Sequence, residues 1–230
     1  MSDRVLFTIA PYVAAFIFIA ITMTRTSGEA SVHRGRRLFR IALVVLLASH
    51  LVMWLAPALL LAWSQSVTRV IAGEVVLFAI GVIAAAGLLR ALIDALRGRR
   101  NTPLADIILL GVLGVAIASG LILAARYRWA STWSAVTLTP YVRSLLTLAP
   151  DTTLLALPYV IKLHVFSGIA LLAVLPFTSV MRPVAIVVER LRDLTITPIV
   201  AIASRQTNRA AGWASESGRA LVWPEPEDED

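Results

Sequence analysis

Long apolar runs alternate with short polar stretches over most of this chain, and most of those polar stretches carry arginines. Crossing a bilayer takes about 20 residues at about 1.5 Å of helical rise each. Five runs reach that length, at 5–23, 41–63, 70–96, 104–125 and 158–180. The pattern predicts an all-α membrane protein, a bundle of five transmembrane helices spanning residues 1–182, followed by a tail at 183–230. The first run does not read as a cleavable signal peptide. Only Asp3 and Arg4 flank it, and residues 24–27 lack a small-x-small cleavage pattern. The connection 126–157, with Trp129, Trp133, Pro140 and Tyr141, is long enough for a short interfacial helix. Beyond Pro183 the tail reads as an amphipathic stretch through Ile202. A polar segment follows and closes on Glu225-Pro226-Glu227-Asp228-Glu229-Asp230, the pattern of a disordered, solubilising end. No internal repeat is evident.

Arginine placement predicts the orientation. Arg25, Arg34, Arg36, Arg37 and Arg40 lie between the first two runs, and Arg97, Arg99 and Arg100 between the third and fourth. Arg182, Arg190, Arg192, Arg205, Arg209 and Arg219 follow the fifth. These segments hold fourteen of the 21 Lys and Arg residues. The positive-inside rule therefore puts the N-terminus outside and the C-terminus in the cytoplasm. Trp54, Trp63, Trp129 and Trp133 then fall near the outer ends, where interfacial aromatic belts sit.

Composition narrows the function. The chain is 58% hydrophobic and 15% charged, where soluble domains run to about 45–50% and 25%. Its mean hydropathy is +0.81. A soluble globular enzyme and a disordered chain are both excluded. Without cysteine the chain holds no disulfide, iron–sulfur cluster or thiolate zinc site of its own. The net charge of +7 fits arginine-rich cytoplasmic loops better than nucleic-acid binding.

Candidate chemistry rests on histidine. His33 lies in an arginine-rich loop and reads as solvated, whereas His50 and His164 each interrupt an apolar run. An ionisable group at membrane depth is expensive and points to function. One such histidine could serve a helix–helix hydrogen bond or a proton path. Two on different runs favour a shared ligand, and haem iron bound from opposite faces suits two neutral imidazoles, with a proton relay or structural pair as the competing reading. Gly168 lies at i+4 from His164, on the same helix face, where a small residue lets a porphyrin approach the backbone. Two ligands with neither Cys nor a nearby carboxylate do not complete a tetrahedral zinc site. In the third run, Arg90 and Asp94 have the spacing of an ion pair, and Glu74 suits a proton acceptor or an interface residue.

Several motifs together resemble the gamma subunit of respiratory nitrate reductase, the cytochrome b membrane subunit of that complex. Ala10-Pro11-Tyr12-Val13-Ala14 is similar to the family's early Pro-Tyr segment. Leu38-Phe39-Arg40-Ile41, with Ser49-His50 after it, resembles a second-span pattern of Leu-Phe-His and then Gly-His ten residues later. Ala105-Asp106-Ile107-Ile108-Leu109 matches the start of the fourth span. Lys162-Leu163-His164, Gly168 and Pro176-Phe177 follow the fifth, which continues to a second histidine eighteen residues after the first.

The resemblance implies quinol oxidation near an outer haem, with electrons passing inward to iron–sulfur clusters of a cytoplasmic partner and on to a molybdenum catalytic subunit. The family carries two haems. Here the outer pair of ligands survives as His50 and His164, so the resemblance implies one haem b. The inner ligand positions are Arg40 and Arg182, and a guanidinium stays protonated and cannot ligate iron. Either these arginines snorkel at the cytoplasmic end, or they contact a propionate or an acidic partner. Arg69 lies near the family's quinol-site lysine, one residue out of register. The implied role is the quinone-facing subunit of a multi-subunit oxidoreductase in the cytoplasmic (inner) membrane, with no terminal catalysis of its own. A heterodisulfide-reductase-like quinone reductase and a non-redox membrane anchor remain as alternatives.

Overall fold

The computed structural model describes residues 3–24, 37–98, 102–127, 130–181 and 184–191, and every regular element among them is helical. In chain order the α-helices are α1 (Asp3–Thr8), α2 (Ala10–Thr24), α3 (Arg37–Leu55), α4 (Pro57–Trp63), α5 (Val67–Leu96), α6 (Leu104–Arg126), α7 (Ala130–Leu146) and α8 (Tyr159–Val174). Short 3-10 turns lie at Thr153–Ala156, Leu175–Phe177 and Ser179–Met181, and 184–191 is again helical. Four helices are long and apolar enough to cross a membrane: α3, α5, α6, and α8 with its first 3-10 turn. The chain is a multi-pass membrane protein.

Three of the expected runs are broken, each beside a proline. The first appears as α1 and α2, parted at Ile9 just before Pro11, and α2 has 15 residues. That is about 22 Å of helix against a hydrocarbon core of about 30 Å. The second run stops as α3 at Leu55 and restarts as α4 with Pro57 at its first turn, where a missing N–H costs nothing. The fifth tightens into 3-10 geometry at Leu175–Phe177, around Pro176. Proline offers no N–H to the carbonyl four residues back, so Pro11 deprives the Phe7 carbonyl and Pro57 the Met53 carbonyl. Leaving either unpaired in an apolar setting would cost several kcal/mol.

α7 supplies both missing donors. The buried Tyr141 hydroxyl donates to the Phe7 carbonyl at 2.7 Å. The Thr139 hydroxyl donates to the Met53 carbonyl at 3.1 Å. Tyr12 returns the arrangement, its hydroxyl donating to the Leu145 carbonyl in the last turn of α7 at 3.1 Å. The connection 126–157 thus holds a helix fastened across two proline breaks. Phe7, Tyr141 and Leu154 form the apolar core beneath it, packed on Val165 and Phe166 of α8.

The remaining helices pack as a chain of neighbours: α3 on α5, α5 on α6, α6 on α8, and α8 on α2. The α3–α5–α6 seam centres on Ala42, Ala84, Leu88 and Ile117, and small residues of this kind let membrane helices approach closely. Gly87 shows how close: a Cβ there would lie 2.7 Å from the Phe39 ring. Large side chains such as Phe16, Leu38, Val44 and Leu104 point outward, as lipid-facing residues do. Where α6 begins, the buried Asp106 accepts the Ser179 backbone N–H at 2.8 Å and the Ser179 hydroxyl at 2.7 Å. That carboxylate fixes the 3-10 turn following α8.

The proline–hydroxyl matching gives a double-mutant test. Tyr141→Phe should cost roughly 1 kcal/mol of stability in detergent, read by thermal unfolding. In a Pro11→Ala background, which restores the N–H to Phe7, the same change should cost less than half as much. Burial, with a smaller contribution from the Tyr12 phenol, pushes the Tyr141 phenol up to about 12. A raised pKa favours the neutral donor, so its stabilising effect is complete below about pH 10, the ordinary tyrosine value. It should fade as pH rises from there through about 12.

Candidate functional site

His50 and His164 come from helices far apart in sequence and meet as a pair. Their ring centroids are 5.9 Å apart with an interplanar angle of 36°. α3 and α8 reach one another here through side chains and are not close backbone neighbours. Two imidazoles on opposite sides of one metal, with bonds of about 2 Å and the ring radius added on each side, place their centroids roughly 6 Å apart. The observed separation is of that size.

Each ring has one nitrogen committed to a backbone carbonyl. His50 Nδ1 lies 2.7 Å from the Leu46 carbonyl, one turn back on its own helix. His164 Nδ1 lies 3.0 Å from the Ala116 carbonyl and 3.2 Å from the Ser119 hydroxyl, both on α6. A carbonyl only accepts, so each ring proton is assigned to Nδ1. Nε2 then carries the lone pair on both rings, the form in which histidine binds metals.

α6 was not legible as part of this site. Ala116, Ser119 and Gly120 lie at i, i+3 and i+4, on one helix face, and together they cradle the His164 ring. A Cβ on Gly120 would stand 3.1 Å from His164 Cε1, so any larger residue would press the ring away from this helix. The sequence hint was modest: the buried Ser119 and Gly120 are adjacent in an otherwise aliphatic span. On the other ring, Trp54 stands edge-on to His50 with centroids 6.4 Å apart.

Gly168, Arg69 and Arg40 are also among the described residues. Gly168 is exposed one turn beyond His164, and an added Cβ there would meet open space. The Arg69 guanidinium lies over the Trp63 ring, 5.6 Å from its centroid, and the Arg69 carbonyl accepts the Trp63 indole N–H at 3.3 Å. Arg69 thus closes the corner between α4 and α5. Arg40 is exposed on α3, about 15 Å along the axis from His50. His33 and Arg182 lie outside the described residues.

The structure is thus a multi-pass helical bundle that brings two imidazoles together between apolar helices. The model of the nitrate reductase gamma subunit family matches residues 3–200. The chain belongs to that family, which comprises the membrane cytochrome b subunits of an oxidoreductase complex, in agreement with its motifs. None of the curated proteins compared with the chain matches it.

The donor set suits haem. Among the described residues no group of three or more His, Asp or Glu side chains could hold a metal ion. A porphyrin brings four equatorial ligands and asks the protein only for axial ones. Two neutral imidazoles with bare Nε2 atoms meet that need.

Gly120→Val should abolish haem loading by pushing the His164 ring off α6, while the chain still inserts and runs as a monodisperse species in detergent. The measurement is the ratio of haem absorbance to protein.

Proposed function

We propose that the chain is the quinone-facing b-type cytochrome subunit of a respiratory nitrate-reductase-like complex, holding one haem b between His50 and His164. The observation that carries this reading is the facing of the two rings at 5.9 Å with both Nδ1 atoms tied to carbonyls. When bound, the haem supplies a one-electron carrier. His50 and His164 orient their lone pairs toward it, and α6 holds the second ring in place. Gly168 leaves room on the same face of α8.

The proposed architecture is a five-span bundle over residues 1–182, with α1 and α2 together as the first crossing and 183–230 as a cytoplasmic tail. From Asp3 to Thr24, with Ile9 between α1 and α2, the stretch is 22 residues, enough for a thin or locally distorted crossing. The N-terminus lies outside and the C-terminus inside, as fourteen of 21 basic residues favour. His50 and His164 then lie toward the outer face of the cytoplasmic membrane. There the haem exchanges electrons with the quinone pool. Its partners on the cytoplasmic side are an iron–sulfur subunit and a molybdenum catalytic subunit. Arg69 lines the quinone entry from its place over Trp63.

One haem, not two, follows from Arg40 and Arg182 at the inner ligand positions. Packing near Arg40 supports this: Phe39 lies on Gly87, and Ala42, Ala84 and Leu88 fill the adjoining seam. Close-packed interiors do not keep a haem-sized void.

The purified protein should show a low-spin b-type spectrum, reducible by a quinol, with a haem-to-protein ratio near one. Changing His50 or His164 to Ala should remove it. A ratio of two, or an intact bis-histidine spectrum in H50A, would overturn the assignment. Arg40→His with Arg182→His should leave the ratio at one where the helices have closed.

A further inference from the structure

We propose that Ser119 is a positioning residue for His164: its hydroxyl holds the ring proton on Nδ1 and so raises the donor strength of Nε2 toward the iron. The inference rests on the haem reading above and concerns how the same site is regulated electronically. Ser119 is 2% exposed and sits on α6, which carries neither histidine. Its oxygen lies 2.7 Å from the Val115 carbonyl, 3.1 Å from the Ala116 carbonyl and 3.2 Å from His164 Nδ1.

Counting hydrogens decides what this serine does. A serine hydroxyl has one hydrogen and two lone pairs. The Val115 carbonyl is its nearest acceptor and takes the hydrogen, which leaves a lone pair facing the ring. The Ala116 carbonyl, the other neighbour of Nδ1, can only accept. Both groups beside Nδ1 are therefore acceptors, and the proton is held there from two sides.

His50 is held differently. Its Nδ1 faces the Leu46 carbonyl of its own helix at 2.7 Å, a contact fixed by the local geometry of α3. The His164 contact exists only while α6 and α8 keep their register. The two rings are thus unequal: one is set within a single helix, the other by a second helix that adds a hydroxyl.

Acceptors on the far ring nitrogen raise ligand basicity. A more basic ligand favours the more positively charged ferric state over the ferrous state. Ser119 therefore lowers the haem midpoint potential, and taking its oxygen away should raise it.

The test uses the full chain in detergent with its haem, comparing wild type, Ser119→Ala, Ser119→Thr and Ser119→Cys. S119A should keep the haem-to-protein ratio and low-spin spectrum while its midpoint potential rises. The ferric electron-spin-resonance g values should also move as the ring loses one of its two anchors. S119T keeps the hydroxyl and should return the potential toward wild type. S119C keeps the shape with a poorer acceptor and should lie above wild type; it becomes the deciding variant if S119A loses its haem. A haem-loaded S119A whose potential and g values coincide with wild type overturns this inference and leaves the haem reading standing, and an unmoved S119C does the same where S119A is empty. Wild-type protein with no haem overturns both.

Discussion

Hydrocarbon offers a polar group nothing to bond with, so a carbonyl or imidazole placed there gains most from a partner within the chain. In this protein that requirement decides which helices touch and where. Pro11 and Pro57 each strip a carbonyl of its helical donor, and α7 answers both through Tyr141 and Thr139. Asp106 is matched by the backbone N–H and hydroxyl of Ser179. His50 and His164 are matched by carbonyls of Leu46 and Ala116. The apolar contacts supply cohesion, but they are tolerant of sliding. The polar matches set the register.

The histidine site follows from those matches. α7 is anchored at Met53, three residues from His50, and its core packs on Val165 and Phe166 next to His164. The helix that clamps the proline breaks therefore also holds the end of the bundle where the rings face each other. α6 completes the arrangement from the other side, with Gly120 thin enough for the ring to lie on and Ala116 to hold its proton. α3 and α8 meet chiefly through the two histidine rings. Their spacing at the histidines is set by what lies on either side of them.

Family membership and the departures from the family motif fit one physical picture. Toward Arg40 the α3–α5–α6 seam is packed by Phe39, Ala42, Ala84 and Leu88. An arginine at a helix end can carry its charge to the interface along its aliphatic stem. At the other end His50 and His164 come together with their ring centroids 5.9 Å apart.

The sequence by itself determined the class of this protein. Length and composition of the apolar runs required membrane helices, because nothing else of that hydropathy satisfies its backbone in lipid. Two histidines isolated in such runs marked the candidate site, because an ionisable group at membrane depth is costly. The motifs around Pro11, Phe39, Asp106 and His164 pointed to the family that the chain belongs to. Periodicity could not show that α7 would serve the carbonyls freed by Pro11 and Pro57, since a freed carbonyl is satisfied by whatever donor the fold brings near. Nor could it show Ser119 and Gly120 under His164. They lie 45 and 44 residues away along the chain, and a small residue in an apolar helix looks the same whether it faces lipid, a neighbour or a ring. Those pairings are set by how the helices pack, and only the tertiary structure decided them.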